Sequence, residues 1–331
     1  MKVLKRFTDD ELKLHEEFLE DLPAELDSVV NDAKWTCPLQ RKFLSRIAKF
    51  INEERGLVAI PEVIKKFVRE IENSFYYYSD MPKHLGPVVD ELRRVFNYES
   101  FRGRIGTSKN RWGGAELMRK IRENIRVCPY CNADLIYAID IEVDKSGGHG
   151  PAKKSAFDHF YPRSRYPFLA LSIYNLIPSC YRCNSQYKND QFLKILKMPH
   201  PYLDDIDELA EFVPLDISDV WDLKEGGVIQ KIKFKEKNAK DRYRVMCYEE
   251  VFQLDDVYSE LFGREAAEAM ILAKVCNDKY CEDMRRDFVE VGFKNIDPKT
   301  VLLGVPDSPE KIDMISLSKL RMDMRRFVGA N

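Results

Sequence analysis

The sequence predicts a mainly α-helical protein with a small α+β insert near the middle of the chain. Apolar residues recur at three- and four-residue steps on both sides of the insert, a spacing that places them on one face of a helix. The segment 127–198, in contrast, carries two Cys-x-x-Cys pairs separated by a wide gap. We therefore divide the chain into a helical region 1–126, an insert 127–198 and a mostly helical region 199–331.

The helical pattern of the N-terminal region is clearest at Ile64, Phe67, Ile71 and Phe75, which follow Pro61. Proline is favoured in the first turn of a helix because the N–H that it lacks would be unsatisfied there. Apolar stripes of this kind ordinarily pack into a core. The same periodicity predicts further helices at about 9–21, 38–54 and 86–97.

The C-terminal region is also predicted to be mainly helical, over about 239–328. Its last predicted helix runs from Ser308 to Phe327. One exception precedes these helices, since Lys231–Lys235 alternates charged and apolar residues as a strand with one solvent-facing side does.

The composition is that of a soluble globular protein. Apolar residues make up 44% of the 331 residues and charged residues 33%. A formal charge of −2 excludes a uniformly basic nucleic-acid-binding surface but allows local patches. No stretch has the length and apolarity of a membrane span, and the charged start of the chain lacks the apolar segment of a signal peptide. We therefore expect a cytoplasmic protein without a membrane partner.

Basic residues accumulate at the end of the N-terminal region. Two interpretations are open, a solvated helix face and a surface that contacts phosphates, and the position directly before the insert favours the second. The basic residues of this segment are Arg102, Arg104, Lys109, Arg111, Arg119, Lys120, Arg122 and Arg126.

Four cysteines of the insert have the spacing of a structural zinc site. They form two Cys-x-x-Cys pairs, Cys128 with Cys131 and Cys180 with Cys183. One pair alone would also fit a redox site or two buried thiols, but two pairs supply the four thiolates of a closed tetrahedral site. The remaining four lack such spacing and are predicted to be buried small apolar residues: Cys37, Cys247, Cys276 and Cys281.

Polar residues suited to phosphodiester chemistry lie between and just after the cysteine pairs. They are Asp158-His159 with Pro162, then Asn175-Leu176, then Asn184 and Lys188. A metal-dependent phosphodiesterase needs an activated water, a cation at the leaving oxygen and positive charge near the phosphate. Taken singly, each residue also has an ordinary structural interpretation: Asp158 as a turn cap, His159 as a core histidine, and Asn175 and Asn184 as helix-terminal residues.

Together these residues resemble the HNH, or ββα-metal, endonuclease family in its zinc-bound form. The match covers about 70 residues, roughly a fifth of the chain. The resemblance implies a β-hairpin and a helix around one divalent cation. It implies that His159 is the general base, that Asp158 and Asn184 are metal ligands, and that Asn175 orients the histidine loop. Asn184 stands where the family name would place a histidine, which leaves the preferred metal open.

The chemistry of the ligands separates two metals. Soft thiolates favour Zn²⁺, while the oxygen atoms of Asp158 and Asn184 favour Mg²⁺ or Mn²⁺. Four basic side chains are candidates for holding substrate phosphates: Lys188, Arg163, Arg165 and Arg182.

The resemblance also suggests a biological setting. It implies a nucleic-acid substrate, with DNA favoured over RNA, and the pattern is similar to HNH proteins of anti-phage systems such as the Septu type, which act beside an ATPase partner. This chain shows no phosphate-binding loop of its own, so ATP would be used by such a partner. The alternative function is a non-cleaving, zinc-dependent subunit that binds nucleic acid or other proteins within a larger complex.

Overall fold

Helices make up most of the computed structural model, as the sequence predicts. None of the helices in the described part of the chain is long and apolar enough to cross a membrane. The residues that the structure describes are 1–76, 83–103, 112–142, 149–189, 191–215, 217, 220, 229, 231–276, 278–293, 296–306 and 308–330.

The N-terminal helices begin where the sequence provides helix-starting residues. Thr8 and Glu11 form a capping box at the first helix, in which each side chain bonds to the other residue's backbone N–H. Proline lies in the first turn of the helices at 38 and 61. The helices predicted at about 9–21, 38–54 and 86–97 and the helix from Pro61 are confirmed. The helix from Pro61 continues as a π-helical turn, Glu72–Tyr76. The helices are α1 Asp9–Phe18, α2 Leu22–Val30, α3 Pro38–Asn52, α4 Pro61–Ile71, α5 Gly86–Val95, α6 Tyr98–Gly103 and α7 Gly114–Arg122.

The basic segment is described only in part, because Arg104, Lys109 and Arg111 lie outside the described residues. On α7, basic side chains pair with acidic neighbours one turn away: Arg119 with Glu116 at 2.7 Å, and Lys120 with Glu123 at 3.3 Å. Such pairs are typical of a solvated helix face. Contact of this segment with phosphate therefore stays a prediction.

The insert contains two antiparallel strand pairs. The first joins β1, Ala138–Glu142, to β2, His149–Lys154. The second joins β3, Ala156–His159, to β4, Leu176–Ser179, with Asp158 opposite Ile177 and His159 opposite Leu176. A π-helical segment, Arg182–Lys188, and the short helix α8, Phe192–Ile195, follow β4. The second strand pair and the segment after it carry the candidate site.

The C-terminal region combines a third strand pair with long helices. The strand predicted at Lys231–Lys235 is confirmed as the second strand of an antiparallel pair with a buried and an exposed side. The elements are α9 Ile206–Leu209, β5 Ala210–Pro214, β6 Ile232–Glu236, α10 Arg242–Phe252, α11 Leu254–Val275, α12 Asp278–Glu290, α13 Pro298–Leu303 and α14 Ser318–Ala330.

The prediction of one continuous helix from Ser308 to Phe327 is wrong. A 3₁₀ helix, Pro309–Met314, ends before α14, and Leu317 between them has a φ of 59°. A left-handed backbone is unfavourable for a branched residue, so other contacts must hold it. The Leu317 N–H donates to the Asn132 carbonyl at 2.7 Å, and the Lys319 N–H donates to the Asn132 side-chain oxygen at 2.9 Å. These bonds to the insert override the local helical pattern.

All three regions share one apolar core. The same cluster of buried side chains includes Phe67 of α4, Leu169 of the insert and Met270 of α11. Aromatic rings are prominent in it, and Phe50 stacks on Phe67 with ring centroids 3.8 Å apart. The candidate site is thus built on a backbone that the flanking helices support directly.

A buried histidine ties the N-terminal helices to the insert. The His15 ring nitrogen Nε2 donates to the Leu171 carbonyl at 2.8 Å, while Nδ1 accepts a hydrogen bond from the Trp112 indole at 3.0 Å. Both bonds require the neutral ring with its proton on Nε2. Burial lowers the pKa of His15 to about 4.

We expect His15 to make the protein less stable in mild acid. The unfolded state binds a proton at an ordinary pKa near 6.5, so stability is complete above that pH and falls until the folded-state pKa is passed. Between pH 7 and pH 5 the loss is about 2 kcal/mol for this group. Urea unfolding of His15→Gln should show a pH dependence weaker by that amount. His84→Gln, at an exposed histidine, should match the wild type; an unchanged dependence in His15→Gln would contradict the assignment.

Candidate metal centre and active site

The four cysteines of the insert converge on one buried point. Their sulfur atoms lie within 4.8 Å of one another, and Cys131 Sγ is 3.9 Å from Cys180 Sγ. A tetrahedral site with zinc–sulfur bonds of about 2.3 Å separates its sulfurs by roughly 3.8 Å. The cluster could therefore hold a metal such as zinc. The other cysteines lie outside it, and Cys247, Cys276 and Cys281 are buried, as predicted. The prediction that Cys37 is buried is wrong: it is partly exposed, at the N-terminal end of α3.

Neighbouring thiols stabilise the charged form of one cysteine in the cluster. Hydrogen bonds from the other three thiols hold the pKa of Cys131 well below its usual value. Burial instead raises the pKa of Cys128, and the surrounding thiols raise that of Cys183. A bound cation would favour the thiolate at all four positions, because metal ligands must be deprotonated.

Two tyrosines of the C-terminal helices hold the first cysteine pair in place. The Tyr248 hydroxyl of α10 donates to the Tyr130 carbonyl at 2.8 Å. The Tyr258 hydroxyl of α11 donates to the Cys131 carbonyl. These carbonyls belong to a tight turn without strand partners, so the tyrosines satisfy backbone groups that burial would otherwise leave unpaired.

Asn132 connects the same turn to the C-terminal helix. It has a φ of 56°, which asparagine tolerates better than most residues. Its buried amide donates to the Ile312 carbonyl at 3.1 Å and accepts from the Lys319 N–H at 2.9 Å. Sequence reasoning did not single out Asn132; its place directly after Cys131, where a tight turn needs a left-handed residue, was the available signal.

Asp158 is buried and fully engaged. One carboxylate oxygen accepts from the Tyr130 hydroxyl at 2.6 Å and the other from the Lys188 ammonium at 2.9 Å. Lys188 also donates to the His159 carbonyl at 2.6 Å. Tyr130 lies within the first cysteine pair and Lys188 ends the π-helical segment. The carboxylate therefore connects the strand pair to the turn of the first cysteine pair and to the π-helical segment, which begins within the second pair.

His159 is buried on the other side of the strand. Its Nε2 lies 3.1 Å from the Ala170 carbonyl, and the Tyr98 ring of α6 meets the imidazole edge-on with centroids 4.5 Å apart. Burial lowers the pKa of His159 to about 3, against the Ala170 carbonyl, which raises it. The imidazole is therefore neutral at pH 7, with Nε2 as the donor and Nδ1 as the acceptor.

Asn175 bridges the two ends of the loop that follows His159. Its amide oxygen accepts from the Tyr161 N–H at 2.8 Å. Its amide nitrogen donates to the Tyr161 carbonyl at 3.1 Å and to the Leu169 carbonyl at 3.0 Å. Leu169 directly precedes Ala170, whose carbonyl contacts the imidazole. The buried amide thus uses both of its ends to fix the loop that faces His159.

The predicted site residues lie on neighbouring elements of the insert: Asp158 and His159 on β3, Asn175 at the end of the 3₁₀ turn before β4, and Asn184 in the π-helical segment. Adjacent residues of a strand point to opposite faces, and the contacts of Asp158 and His159 follow this rule. Asn184, in the π-helical segment, is partly buried, and its N–H donates to the Cys180 carbonyl at 3.1 Å. In the described part of the chain, the four cysteines are the only group of three or more histidine, cysteine or acidic side chains close enough to share an ion.

All four candidate phosphate-binding residues are paired with acidic side chains, and three of them are buried or partly buried. Arg165 forms a two-bond ion pair with the fully buried Glu72, both bonds 2.7 Å long, and Lys188 pairs with Asp158. Arg182 donates to Asp134 at 2.7 Å. Arg163 is exposed, pairs with Glu99 at 3.0 Å and lies over the Tyr98 ring. It is therefore the best placed of the four to meet a substrate.

Comparisons of the chain with protein families, with curated proteins and with solved structures found no match.

We expect the purified protein to contain about one zinc ion per chain that resists mild chelation. Cys180→Ser should lose this ion and melt at a lower temperature, since three thiolates leave the site open. Metal analysis after dialysis against a chelator, with a thermal melt, measures both effects. The matched control is Cys247→Ser, a buried cysteine outside the cluster, which should keep its zinc. Retention of zinc by Cys180→Ser would contradict the four-thiolate site.

The Asp158–Lys188 ion pair should be strongly coupled. Lys188→Met leaves a buried carboxylate without its charged partner, a change that costs about 3–5 kcal/mol. Adding Asp158→Asn to Lys188→Met removes the unpaired charge and should recover a large part of that loss. Urea unfolding of the two single variants and the double variant measures this coupling. Additive effects of the two substitutions would show that the side chains do not interact.

Proposed function

We propose that this chain is an endonuclease of the HNH class, which hydrolyses phosphodiester bonds of nucleic acid, with DNA favoured over RNA. One observation carries the proposal. β3 carries Asp158 and His159, the 3₁₀ turn directly before β4 ends at Asn175, and the π-helical segment 182–188 carries Asn184, which is the order that the sequence resemblance implies. The second cysteine pair lies at the junction between β4 and the π-helical segment, and Tyr130 of the first pair's turn donates to Asp158. Zinc is the ion that we propose for the four-cysteine cluster.

His159 is the proposed general base. A base must be unprotonated before it acts, and the neutral imidazole meets this condition. With Nε2 directed at the Ala170 carbonyl, Nδ1 carries the lone pair that would accept a proton from the attacking water. The same carbonyl would then stabilise the imidazolium. A substrate phosphate near the ring would add negative charge and raise the pKa of His159 toward a more useful range for proton transfer.

Asn175 is a proposed positioning residue. Its three hydrogen bonds hold the loop that carries Ala170 and therefore the acceptor of the imidazole N–H. Without this acceptor, the ring could rotate or change tautomer, and the lone pair would no longer point in a fixed direction.

Asp158 and Asn184 are the proposed ligands of a divalent cation, Mg²⁺ or Mn²⁺, because both offer hard oxygen atoms. When bound, such a cation would neutralise charge on the leaving oxygen. The Asp158 carboxylate is satisfied by Tyr130 and Lys188 in the present conformation. A cation would therefore fit at Asp158 only after the Lys188 ammonium has moved away.

The proposal includes a role in anti-phage defence beside an ATPase partner, on the basis of the sequence resemblance to Septu-type proteins.

A second candidate function is a non-cleaving, zinc-dependent subunit that binds nucleic acid or another protein. The observation that favours it is the completeness of the Asp158–Lys188 pair, which satisfies the carboxylate without any cation. In this case the four-cysteine cluster and the strand pair would serve only as a rigid support for the binding surface.

Plasmid cleavage separates the two functions. The purified protein is incubated with supercoiled plasmid and Mg²⁺ or Mn²⁺, alone and with the product of the neighbouring gene, and nicked and linear forms are measured on gels. We expect His159→Ala to lower the cleavage rate by about 10²–10⁴-fold, the usual contribution of general acid–base catalysis. Asn184→Ala should also reduce cleavage by weakening the cation site.

His84→Ala is the control for this assay, because His84 is exposed and lies outside the proposed site. Each variant is checked for zinc content and melting temperature so that misfolding is not counted as loss of chemistry. Equal cleavage by wild type and His159→Ala would reject the assigned base. No cleavage under any condition, together with binding of the plasmid, would favour the non-cleaving subunit.

A further inference from the structure

A pocket lies next to His159, and the proposed hydrolysis does not use it. Its volume is about 330 Å³, within the range of small-molecule sites. Helix α5, helix α6 and the loop after His159 form it together. Its lining residues are Arg93, Phe96, Asn97, Tyr98, Glu99, Arg163, Ser164, Pro167 and Ala170.

The pocket has an apolar interior and a charged rim. Phe96, Tyr98, Pro167 and Ala170 are buried and line the interior. The rim carries two exposed guanidinium groups, those of Arg93 and Arg163, on different elements. Apolar walls with a cationic edge complement a nucleobase that is attached to a phosphate.

Both arginines are held in place while keeping part of their hydrogen-bonding capacity. Arg93 donates to Asp90 and to the Ser164 carbonyl, both at 2.8 Å. Arg163 donates to Glu99 through one nitrogen at 3.0 Å. A guanidinium has five N–H donors, so each group can also contact a phosphate oxygen. Glu99 is the one acidic side chain of the lining and would compete with a phosphate for Arg163.

The pocket and the imidazole share two residues. Tyr98 lines the pocket and meets the His159 ring edge-on, and Ala170 lines the pocket while its carbonyl faces His159 Nε2. A nucleotide in the pocket would therefore lie one side chain away from the proposed base.

We propose that this pocket binds one nucleotide of the nucleic acid, with its base against Phe96, Pro167 and Ala170 and its phosphate at Arg93 and Arg163. The inference rests on the proposed function for the choice of nucleic acid as the ligand. It assigns substrate binding to α5 and α6, which lie outside the segment that resembles the HNH family. Arg163 belongs to both the pocket and the loop after His159, so it links nucleotide binding to the proposed chemistry.

Binding is measured without added divalent cation, so that no cleavage is involved. The probe is a fluorescein-labelled single-stranded DNA of eight nucleotides, followed by anisotropy and displaced by deoxyadenosine monophosphate, deoxyribose 5-phosphate or inorganic phosphate. Arg163→Ala and Arg93→Ala should each weaken binding about ten-fold, the effect of losing a charge-assisted hydrogen bond. Glu99→Gln should strengthen binding, because it removes the competing carboxylate. The nucleotide should displace the probe at lower concentration than the two phosphates without a base.

A second exposed ion pair provides matched controls. Arg264 and Glu268 of α11 pair at 3.0 Å outside the pocket. Arg264→Ala and Glu268→Gln change the net charge as the pocket variants do, so they measure the non-specific electrostatic effect. Equal losses for Arg163→Ala and Arg264→Ala would overturn the proposal, as would weaker binding by Glu99→Gln or equal displacement by inorganic phosphate.

The outcomes also separate this inference from the proposed function. A protein that shows the predicted binding pattern but never cuts plasmid would retain the pocket and lose the nuclease assignment. A protein that cuts in a His159-dependent way, but whose binding is unaffected by Arg93→Ala, Arg163→Ala and Glu99→Gln, would retain the nuclease assignment and lose the pocket.

Discussion

The convergence of four buried sulfur atoms is the constraint on which the candidate site depends. The two cysteine pairs lie 49 residues apart at Cys131 and Cys180, yet their sulfurs are in contact. Everything that carries the proposed chemistry lies between the pairs or directly after the second one. An ion bound to the four thiolates would close this long loop and make its folding dependent on the metal. Tyr248 and Tyr258 extend the constraint to the C-terminal helices by satisfying the carbonyls of the first pair.

Two buried ion pairs hold segments of the insert against the elements next to them. Lys188 joins the π-helical segment to β3 through Asp158, and Arg165 joins the loop after His159 to the turn after α4 through Glu72. Burying such charges is costly, so these pairs specify how the elements meet more than they add net stability. They also explain why two basic residues that sequence reasoning assigned to phosphate contact are held inside the fold, since Lys188 and Arg165 have acidic partners far from them in sequence. Arg182, which is partly exposed, has a distant acidic partner in Asp134.

Local pattern was sufficient to predict most helices and the cysteine cluster, because both depend on spacing along a short stretch of chain. The amphipathic helix from Pro61 is of this kind, and so is the ligand geometry of each Cys-x-x-Cys pair. The break at Leu317 could not be predicted, since its cause is a hydrogen bond to Asn132, 185 positions away. The Tyr98 contact with His159 was also inaccessible, because nothing in the spacing of α6 indicates which strand it covers.

The alternation of side chains along β3 gives the candidate site two sides. The Asp158 carboxylate contacts Tyr130, which lies within the first cysteine pair. The His159 imidazole lies on the opposite side and contacts Tyr98 of the N-terminal helices. The four-cysteine cluster therefore cannot by itself determine the surroundings of the imidazole. Tyr98, which lies outside the recognisable motif, contributes to the burial that lowers the pKa of this imidazole. It follows that the helical flank belongs to the surroundings of the imidazole, because the Tyr98 ring of α6 packs against it.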